Sequence, residues 1–247
     1  MMPITDTVKQ LLIINLILFV GSMFVPAANE YLCAYYIENP SFKFWQPITY
    51  MFMHADVFHI MFNMFGLYFF GSMLEHFWGS KKFLFFYITC GLGALIIQMG
   101  INYFQFHNAL DLLVANGYDK SEIYNLLASG QYDNNWSEIL SSDKLNNFLS
   151  SYFSRTLGAS GAVYGLLAAF AFMFPNAELS LLILPIPIKA KIFVPLMILV
   201  DLFSGIRGPQ IGGPNIAHFA HVGGALVGIL LMYYWKNNQF NQNRWDK

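Results

Sequence analysis

Six long apolar stretches, separated by turn residues or clusters of charge, dominate the hydrophobic and polar pattern of the chain. They lie at about 8–25, 57–74, 82–101, 159–174, 192–205 and 219–235. A bilayer-spanning helix needs about 20 mostly apolar residues, and an open sheet could not satisfy its backbone hydrogen bonds in hydrocarbon. The pattern therefore predicts an all-α membrane protein, a bundle of six transmembrane helices of which the fourth and fifth are short.

The interval at 104–157, between the third and fourth predicted helices, is rich in Asn, Ser, Asp and Tyr. Apolar residues recur in it at helical spacing: Leu110, Leu113 and Val114, then Ile123, Leu126 and Leu127, then Ile139, Leu145 and Phe148. This spacing predicts an insertion of short amphipathic helices on the outer membrane face, two of them capped by Ser121 and Ser137. Two interpretations stay open: the insertion only covers the outer rim, or it screens substrates or binds a partner.

Lys and Arg residues predict the orientation, because loops rich in them stay in the cytoplasm. With the N-terminus inside, eight of the 13 basic residues fall on the inner side. Both termini are therefore predicted to be cytoplasmic, with 1–247 forming a single membrane domain. The alternative is that the first stretch is a signal peptide, since small residues follow it at Pro26, Ala27 and Ala28.

Composition supports the lipid bilayer as the surrounding medium, because 56% of the residues are hydrophobic and only 11% are charged. A formal net charge of −1 argues against a nucleic-acid partner. The two cysteines, Cys33 and Cys90, lie too far apart in the predicted topology to suggest a disulfide.

Several polar side chains gather at one predicted depth, at the outer ends of three helices. They are His54, His59 and Asn63 near the start of the second helix, Ser160 at the start of the fourth, and His218 and His221 at the start of the sixth. Such groups are costly inside a membrane and mark functional sites.

Ser160 has the surroundings that a nucleophile requires, namely a nearby base and donors for an oxyanion. Gly158 and Gly161 leave room for a substrate backbone, and a helix N-terminus supplies free N–H groups. Gly224 and Gly228 follow His221 as a small-residue surface that lets another helix come close. If that helix is the fourth, His221 reaches Ser160 as a general base. The open alternatives are a helix-packing seam and a structural histidine.

His59 and Asn63 are four residues apart and share one face of a helix. They form a donor pair suited to an oxyanion. The alternative is a structural pair that ties the second helix to the fourth.

These residues resemble the motifs of the rhomboid intramembrane proteases. His54, His59 and Asn63 match the family's His-x4-His-x3-Asn pattern, and Gly158-Ala159-Ser160-Gly161 matches its G-x-S-G. The stretch 220–228, with His221 as its second residue, matches A-H-x-x-G-x-x-x-G. Order and spacing agree over about 45–235.

The resemblance implies a serine endopeptidase that hydrolyses peptide bonds in or near transmembrane segments of membrane-protein substrates. It assigns Ser160 as nucleophile and His221 as base, in a dyad without a carboxylate. His59 and Asn63 would join the Ser160 backbone N–H in the oxyanion hole, and Tyr164 would pack against the His221 ring and orient it.

The same resemblance gives Gly158 and Gly161 supporting places beside the nucleophile and makes His54 a structural residue of the outer loop. It implies no cofactor and no metal. The active site would open to the outer face of a plasma membrane, or of an inner membrane if the protein is bacterial. The interval at 104–157 is longer than the family's usual connection.

Three rival interpretations remain. A catalytically inactive, rhomboid-like scaffold would bind membrane proteins without cleaving them. A zinc protease would gather His54, His59, His218 and His221, although no H-E-x-x-H motif is present. A transporter is disfavoured because paired intramembrane charges are missing from the sequence. Asp201 is the exception; it is expected at the outer interface, and a role in gating is an open alternative. The segment 204–214, rich in Gly and Pro, is either a lid or an ordinary loop.

Overall fold

The structure, a computed structural model, describes residues 3–179, 187–207 and 217–238. Within these ranges the α-helices are α1 (Asp6–Phe24), α2 (Ala27–Leu32), α3 (Gln46–Thr49), α4 (Val57–Gly66), α5 (Ser72–Trp78), α6 (Ser80–Ala115), α7 (Lys120–Ala128), α8 (Ser142–Phe153), α9 (Ser160–Met173), α10 (Ala190–Arg207) and α11 (His218–Asn238). Short 3₁₀ helices occupy Tyr50–Phe52 and Asn134–Glu138, and a π-helical turn at Leu67–Gly71 joins α4 to α5.

Each of the six predicted apolar stretches is helical in the structure. Among the described residues, three helices are long and apolar enough to cross a membrane: α1, the continuous helix Val57–Trp78 and α6. The helix α9 is apolar but has only 14 residues. A mostly helical membrane protein is therefore confirmed, whereas the count of six spans stays a prediction.

The prediction of an all-α chain is wrong in one detail, since two short strands lie between α9 and α10. β1 (Glu178–Leu179) pairs antiparallel with β2 (Ile188–Lys189), and Glu178 stands opposite Lys189. Opposite charges facing each other across two strands favour such pairing.

The third predicted helix is longer than expected, because α6 continues to Ala115 rather than ending near residue 101. No Gly or Pro interrupts 101–116, and the helix ends before Gly117, whose φ of +94° lies in the left-handed region. At 1.5 Å per residue, 36 residues span about 54 Å, well beyond a hydrocarbon core of about 30 Å. The first part of the predicted insertion is thus the end of a long helix.

The rest of the insertion packs on itself and on the end of α6 to form a second hydrophobic core. Phe106, Leu113, Ile123, Trp136 and Phe148 are all fully or almost fully buried in it. The apolar faces predicted from the sequence therefore pack against one another, whereas the location of the insertion on the outer membrane face stays a prediction.

The helix caps in the insertion also differ from the prediction, which named Ser121 and Ser137. Asp119 caps α7 by accepting a hydrogen bond from the Glu122 N–H, and Ser141 caps α8 by accepting from the Lys144 N–H. Asp and Ser are both preferred at this position, so the sequence offered several candidates.

The insertion is fastened to the loop that precedes α3. The backbones of Ala34 and Thr156 form a β-bridge, and Asn39 Nδ2 donates to the Tyr152 carbonyl at 3.1 Å. The Glu38 carboxylate accepts from Tyr124 Oη at 2.7 Å and lies 3.0 Å from His107 Nε2. The chain leaves this fastening two residues before Gly158, so it enters the start of α9 from a fixed position.

Glycines let α9 and α11 approach closely, as the small-residue surface predicted. A Cβ added at Gly224 would overlap the carbonyl oxygen of Gly161, and one added at Gly228 would lie 2.8 Å from the carbonyl oxygen of Gly165. The two backbones are therefore in direct contact. This contact brings the first turn of α11 beside the first turn of α9.

Candidate active site

Ser160 and His221 form a hydrogen bond between the first turns of α9 and α11. Ser160 Oγ lies 2.8 Å from His221 Nε2, although the two residues are 61 positions apart in the chain. Ser160 is the first residue of α9, where backbone N–H groups have no partner within the helix. A hydroxyl, an imidazole nitrogen and free N–H groups thus share one small region.

The Tyr164 ring stacks on the imidazole of His221. The ring centroids are 4.3 Å apart and the planes differ by 11°. Because Tyr164 lies one turn after Ser160 on the same helix, the stacking fixes the plane of the imidazole relative to the serine.

Asp201 of α10 is the residue that sequence reasoning left out of the site. Its Oδ1 lies 3.1 Å from His221 Nδ1 and 2.6 Å from His218 Nδ1, and Tyr164 Oη donates to its Oδ2. The expectation that no carboxylate lies beside the serine and histidine is therefore wrong, while the catalytic role of the pair stays a prediction. The available signal was an acidic residue within an apolar stretch, which is costly and points to function.

Gly158 forms the turn that precedes Ser160. Its φ of +116° favours glycine, and its N–H donates to the Tyr50 carbonyl at 2.9 Å. A Cβ at this position would lie 2.7 Å from His59 Nε2 and 3.7 Å from Ser160 Oγ. His59 Nε2 and Ser160 Oγ consequently border the same small space.

The backbone N–H and the ring Nδ1 of His59 are hydrogen-bonded to the two residues that precede α4. His59 N–H donates to the Asp56 carboxylate at 2.9 Å, and His59 Nδ1 accepts from the Ala55 N–H at 3.3 Å. A neutral imidazole that accepts at Nδ1 carries its proton on Nε2. The Nε2–H is therefore the ring's donor, and it borders the space beside Gly158.

Asn63 is buried on the same face of α4, where its Nδ2 donates to the His59 carbonyl at 2.9 Å. An amide nitrogen has two hydrogens, so this bond leaves one available. A Cβ on Gly66 would lie 2.7 Å from Val163 Cγ1, which brings α4 and α9 together one turn below Asn63 and Ser160. Asn63 and Ser160 therefore lie at the same level.

His54 is buried and packs edge-on against His59, with ring centroids 5.0 Å apart. Burial, with His59 acting in the same direction, lowers the pKa of His54 to about 3. The ring is thus neutral at ordinary pH, and its structural role stays a prediction.

The four histidines of the rival zinc site do not form one cluster. Among the residues that the structure describes, the metal-binding side chains that gather in a group of three or more are Asp201, His218 and His221, with one ligand atom of each within 4.8 Å of the others. His54 lies in the loop before α4 and His59 in the first turn of that helix, and neither belongs to this group. Most of the candidate lid at 204–214 lies outside the described residues.

Comparison with known proteins identifies one family. The family model of the Rhomboid domain matches residues 41–108 and 137–238 of this sequence. The unmatched residues between these ranges lie within the insertion, and both matched ranges contain predicted site residues.

Three curated proteins illustrate the similarity. The presenilin-associated rhomboid-like protein, mitochondrial, of Homo sapiens is 25% identical over 223 residues, covering 87% of this chain and 46% of that protein. RHOMBOID-like protein 12, mitochondrial, of Arabidopsis thaliana is 29% identical over 185 residues, covering 74% and 44%. Rhomboid protein 1, mitochondrial, of Saccharomyces cerevisiae is 32% identical over 79 residues, covering 32% and 22%. This chain thus spans less than half the length of the relatives it matches.

Proposed function

The chain belongs to the rhomboid family, and from that premise we propose that it is an intramembrane serine endopeptidase acting on transmembrane protein substrates. The observation that carries the proposal is the 2.8 Å hydrogen bond between Ser160 Oγ and His221 Nε2. A serine hydroxyl becomes a useful nucleophile only beside a base, and this pair meets that geometric requirement.

In the proposed mechanism, Ser160 Oγ attacks the scissile carbonyl carbon while its proton passes to His221 Nε2. The tetrahedral intermediate collapses to an acyl-enzyme as His221 gives that proton to the departing amine. Water then attacks the ester as His221 takes one of its protons, and His221 returns that proton to Ser160 Oγ as the acid product leaves.

The oxyanion of the intermediate is assigned to three donors: the Ser160 backbone N–H, the second amide hydrogen of Asn63 and the Nε2–H of His59. Support for His59 comes from its Nδ1, which accepts from Ala55 and so leaves the proton on Nε2. Donors fixed in advance where negative charge develops stabilise such an intermediate most effectively.

Substrates and location follow from the bilayer. Backbone groups of a transmembrane helix are already hydrogen-bonded, so we expect cleavage near helix-breaking or small residues, where a peptide bond can enter the site. Hydrolysis also requires water, so the site should lie near a membrane surface. The distribution of Lys and Arg favours the outer face of a plasma or inner membrane, with both termini in the cytoplasm. The three relatives above are named mitochondrial, which supports an inner membrane.

Labelling of the full chain in lipid with a fluorophosphonate, which reacts with activated serines, tests the proposal. We expect the label on Ser160, and we expect Ser160→Ala to abolish both labelling and cleavage of a transmembrane reporter while the protein stays folded. The exposed Ser150, whose hydroxyl bonds only within α8, provides the control Ser150→Ala, which should retain both.

Two results would contradict the proposal. Reporter cleavage retained by Ser160→Ala would remove the serine from the mechanism. A folded wild-type protein that neither labels nor cleaves would belong with the inactive, rhomboid-like binding scaffolds.

A further inference from the structure

We infer that Asp201 is a positioning residue of the proposed protease, holding His221 in the one neutral tautomer that can take the proton of Ser160. The inference rests on the proposed function. It adds a carboxylate, from a third helix, to the serine and histidine that the sequence motifs provide.

The two ring nitrogens of His221 face different partners. Nδ1 lies 3.1 Å from Asp201 Oδ1, and Nε2 lies 2.8 Å from Ser160 Oγ. An ionised carboxylate only accepts hydrogen bonds, so Nδ1 must carry the hydrogen. The lone pair of Nε2 is then directed at the serine hydroxyl, which is the arrangement that a general base requires.

Three donors converge on the Asp201 carboxylate. Oδ1 accepts from His218 Nδ1 at 2.6 Å as well as from His221, and Oδ2 accepts from the hydroxyl of Tyr164. These donors come from α9 and α11, whereas Asp201 lies on α10. The carboxylate therefore cannot turn away from His221 without breaking bonds to two other side chains.

Tyr164 contacts both His221 and Asp201. Its ring stacks on the His221 imidazole at 4.3 Å, while its hydroxyl donates to Asp201. One side chain thus fixes both the plane of the base and the position of the carboxylate that orients it.

The burial of Asp201 indicates that its carboxylate has a specific role. Asp201 is only 7% exposed, and a buried charge is unfavourable unless it is paired and hydrogen-bonded. During the reaction the charge on Asp201 would stabilise the imidazolium that His221 becomes. Asp201 stays ionised throughout, because the proton moves between Ser160, His221 and the leaving amine only.

The direct test is the protonation pattern of His221, observed by ¹⁵N NMR of histidine-labelled full chain in lipid. The chain has six histidines, and comparison with His221→Gln identifies the resonances of His221. We expect hydrogen on Nδ1 and not on Nε2 in the wild-type protein at neutral pH. In Asp201→Asn we expect a larger share of His221 to carry its hydrogen on Nε2. The Asn amide can donate as well as accept, so it no longer requires a hydrogen on His221 Nδ1.

The matching kinetic measurement is turnover of the transmembrane reporter. We expect Asp201→Asn to lower kcat by about 10²- to 10⁴-fold, the range for losing general-base catalysis, with little change in KM. The control is Asp119→Asn, which removes a carboxylate from the N-cap of α7 where Asn caps equally well. This control should retain wild-type kcat and the wild-type His221 pattern.

Four outcomes would overturn the inference. They are an Nε2–H tautomer in the wild-type protein, an unchanged tautomer in Asp201→Asn, turnover of that variant equal to the wild type, and histidine resonances that move when a chelator is added. The last would assign the three clustered side chains to a metal. Because the tautomer is measured without substrate, these results are separate from a failure of the proposed function, which would appear as absent labelling and cleavage in the wild type.

Discussion

At the scale of single residues, both histidines beside Ser160 have their Nδ1 paired with a neighbouring group. His59 uses Nδ1 to accept from the Ala55 N–H, and His221 directs Nδ1 at Asp201. In each case the Nδ1 partner determines whether Nε2 is a donor or an acceptor. His59 Nε2 becomes a donor suited to an oxyanion, whereas His221 Nε2 becomes an acceptor suited to a hydroxyl.

Replacement of Asn63 should slow the reaction without abolishing it. Loss of one oxyanion donor costs about 2.7–4 kcal/mol of transition-state stabilisation, so Asn63→Ala should lower kcat by about 10²- to 10³-fold in the reporter assay. Asn116→Ala is a matched control, because Asn116 Nδ2 also donates to a carbonyl four residues earlier. Equal effects of the two changes would make Asn63 a structural residue.

Gly158→Ala should disable the site through a steric clash. The added Cβ would lie 2.7 Å from His59 Nε2, so the His59 ring or the turn before Ser160 must shift. We expect fluorophosphonate labelling to slow by at least about 10²-fold, since small misplacements of reacting groups have effects of that size.

The control for Gly158→Ala is Gly130→Ala. Gly130 has a φ of +77° but nothing within 4 Å of an added Cβ. The Gly130→Ala change therefore introduces backbone strain without a steric clash. Labelling that slows equally in both variants would attribute the effect to strain rather than to His59.

At the scale of helices, the site depends on how closely α9 and α11 approach. Each of these helices contributes one member of the Ser160 and His221 pair, and the glycines between them set the distance. The insertion, in contrast, supplies no residue to the hydrogen bonds around His221. Its contact with the start of α9 is indirect, through the bridge between Ala34 and Thr156 two residues before Gly158.

Gly224→Ala should separate the two helices. Its Cβ would overlap the backbone of Gly161, which cannot move as a flexible side chain would. Overpacking of this kind costs about 1–3 kcal/mol, so we expect a lower thermal unfolding temperature together with slower labelling of Ser160. Gly100→Ala in α6 is the control, because nothing lies within 4 Å of its added Cβ. A wild-type unfolding temperature and labelling rate for Gly224→Ala would show that the helices have room for a methyl group.

At the scale of the whole molecule, the described residues form two hydrophobic cores. One core includes Ala159 and Ala162 beside Ser160, and the other lies within the insertion and the end of α6. The family model leaves 109–136 unmatched, which overlaps the second core. The second core thus combines residues inside and outside the family match, whereas the candidate site lies beside the first core.

Trp136→Ala should loosen the second core and spare the site. Truncating a buried Trp costs about 3–5 kcal/mol, and Trp136 is fully buried. We expect faster amide hydrogen exchange across 119–153, with the labelling rate of Ser160 within about threefold of wild type.

The neighbouring Tyr132, which is 46% exposed, provides the control Tyr132→Ala, for which exchange should stay near wild type. A large loss of Ser160 labelling in Trp136→Ala would show that the second core supports the site.

The sequence alone determined the helical stretches and the motifs of the site. Both are local properties: a helix places residues four apart on one face, so His59 and Asn63 could be paired directly. Apolar runs of sufficient length also required a membrane, whatever the arrangement of the helices.

Only the tertiary structure decided what those helices face. Asp201 lies 20 positions from His221 and 37 from Tyr164, and no periodicity links positions on three different helices. The insertion shows the same limit, because amphipathic spacing predicts a buried face without saying whether lipid or another helix covers it. Contact between distant segments depends on the packing of whole surfaces. The carboxylate beside His221 and the second core could therefore be identified only from the three-dimensional structure.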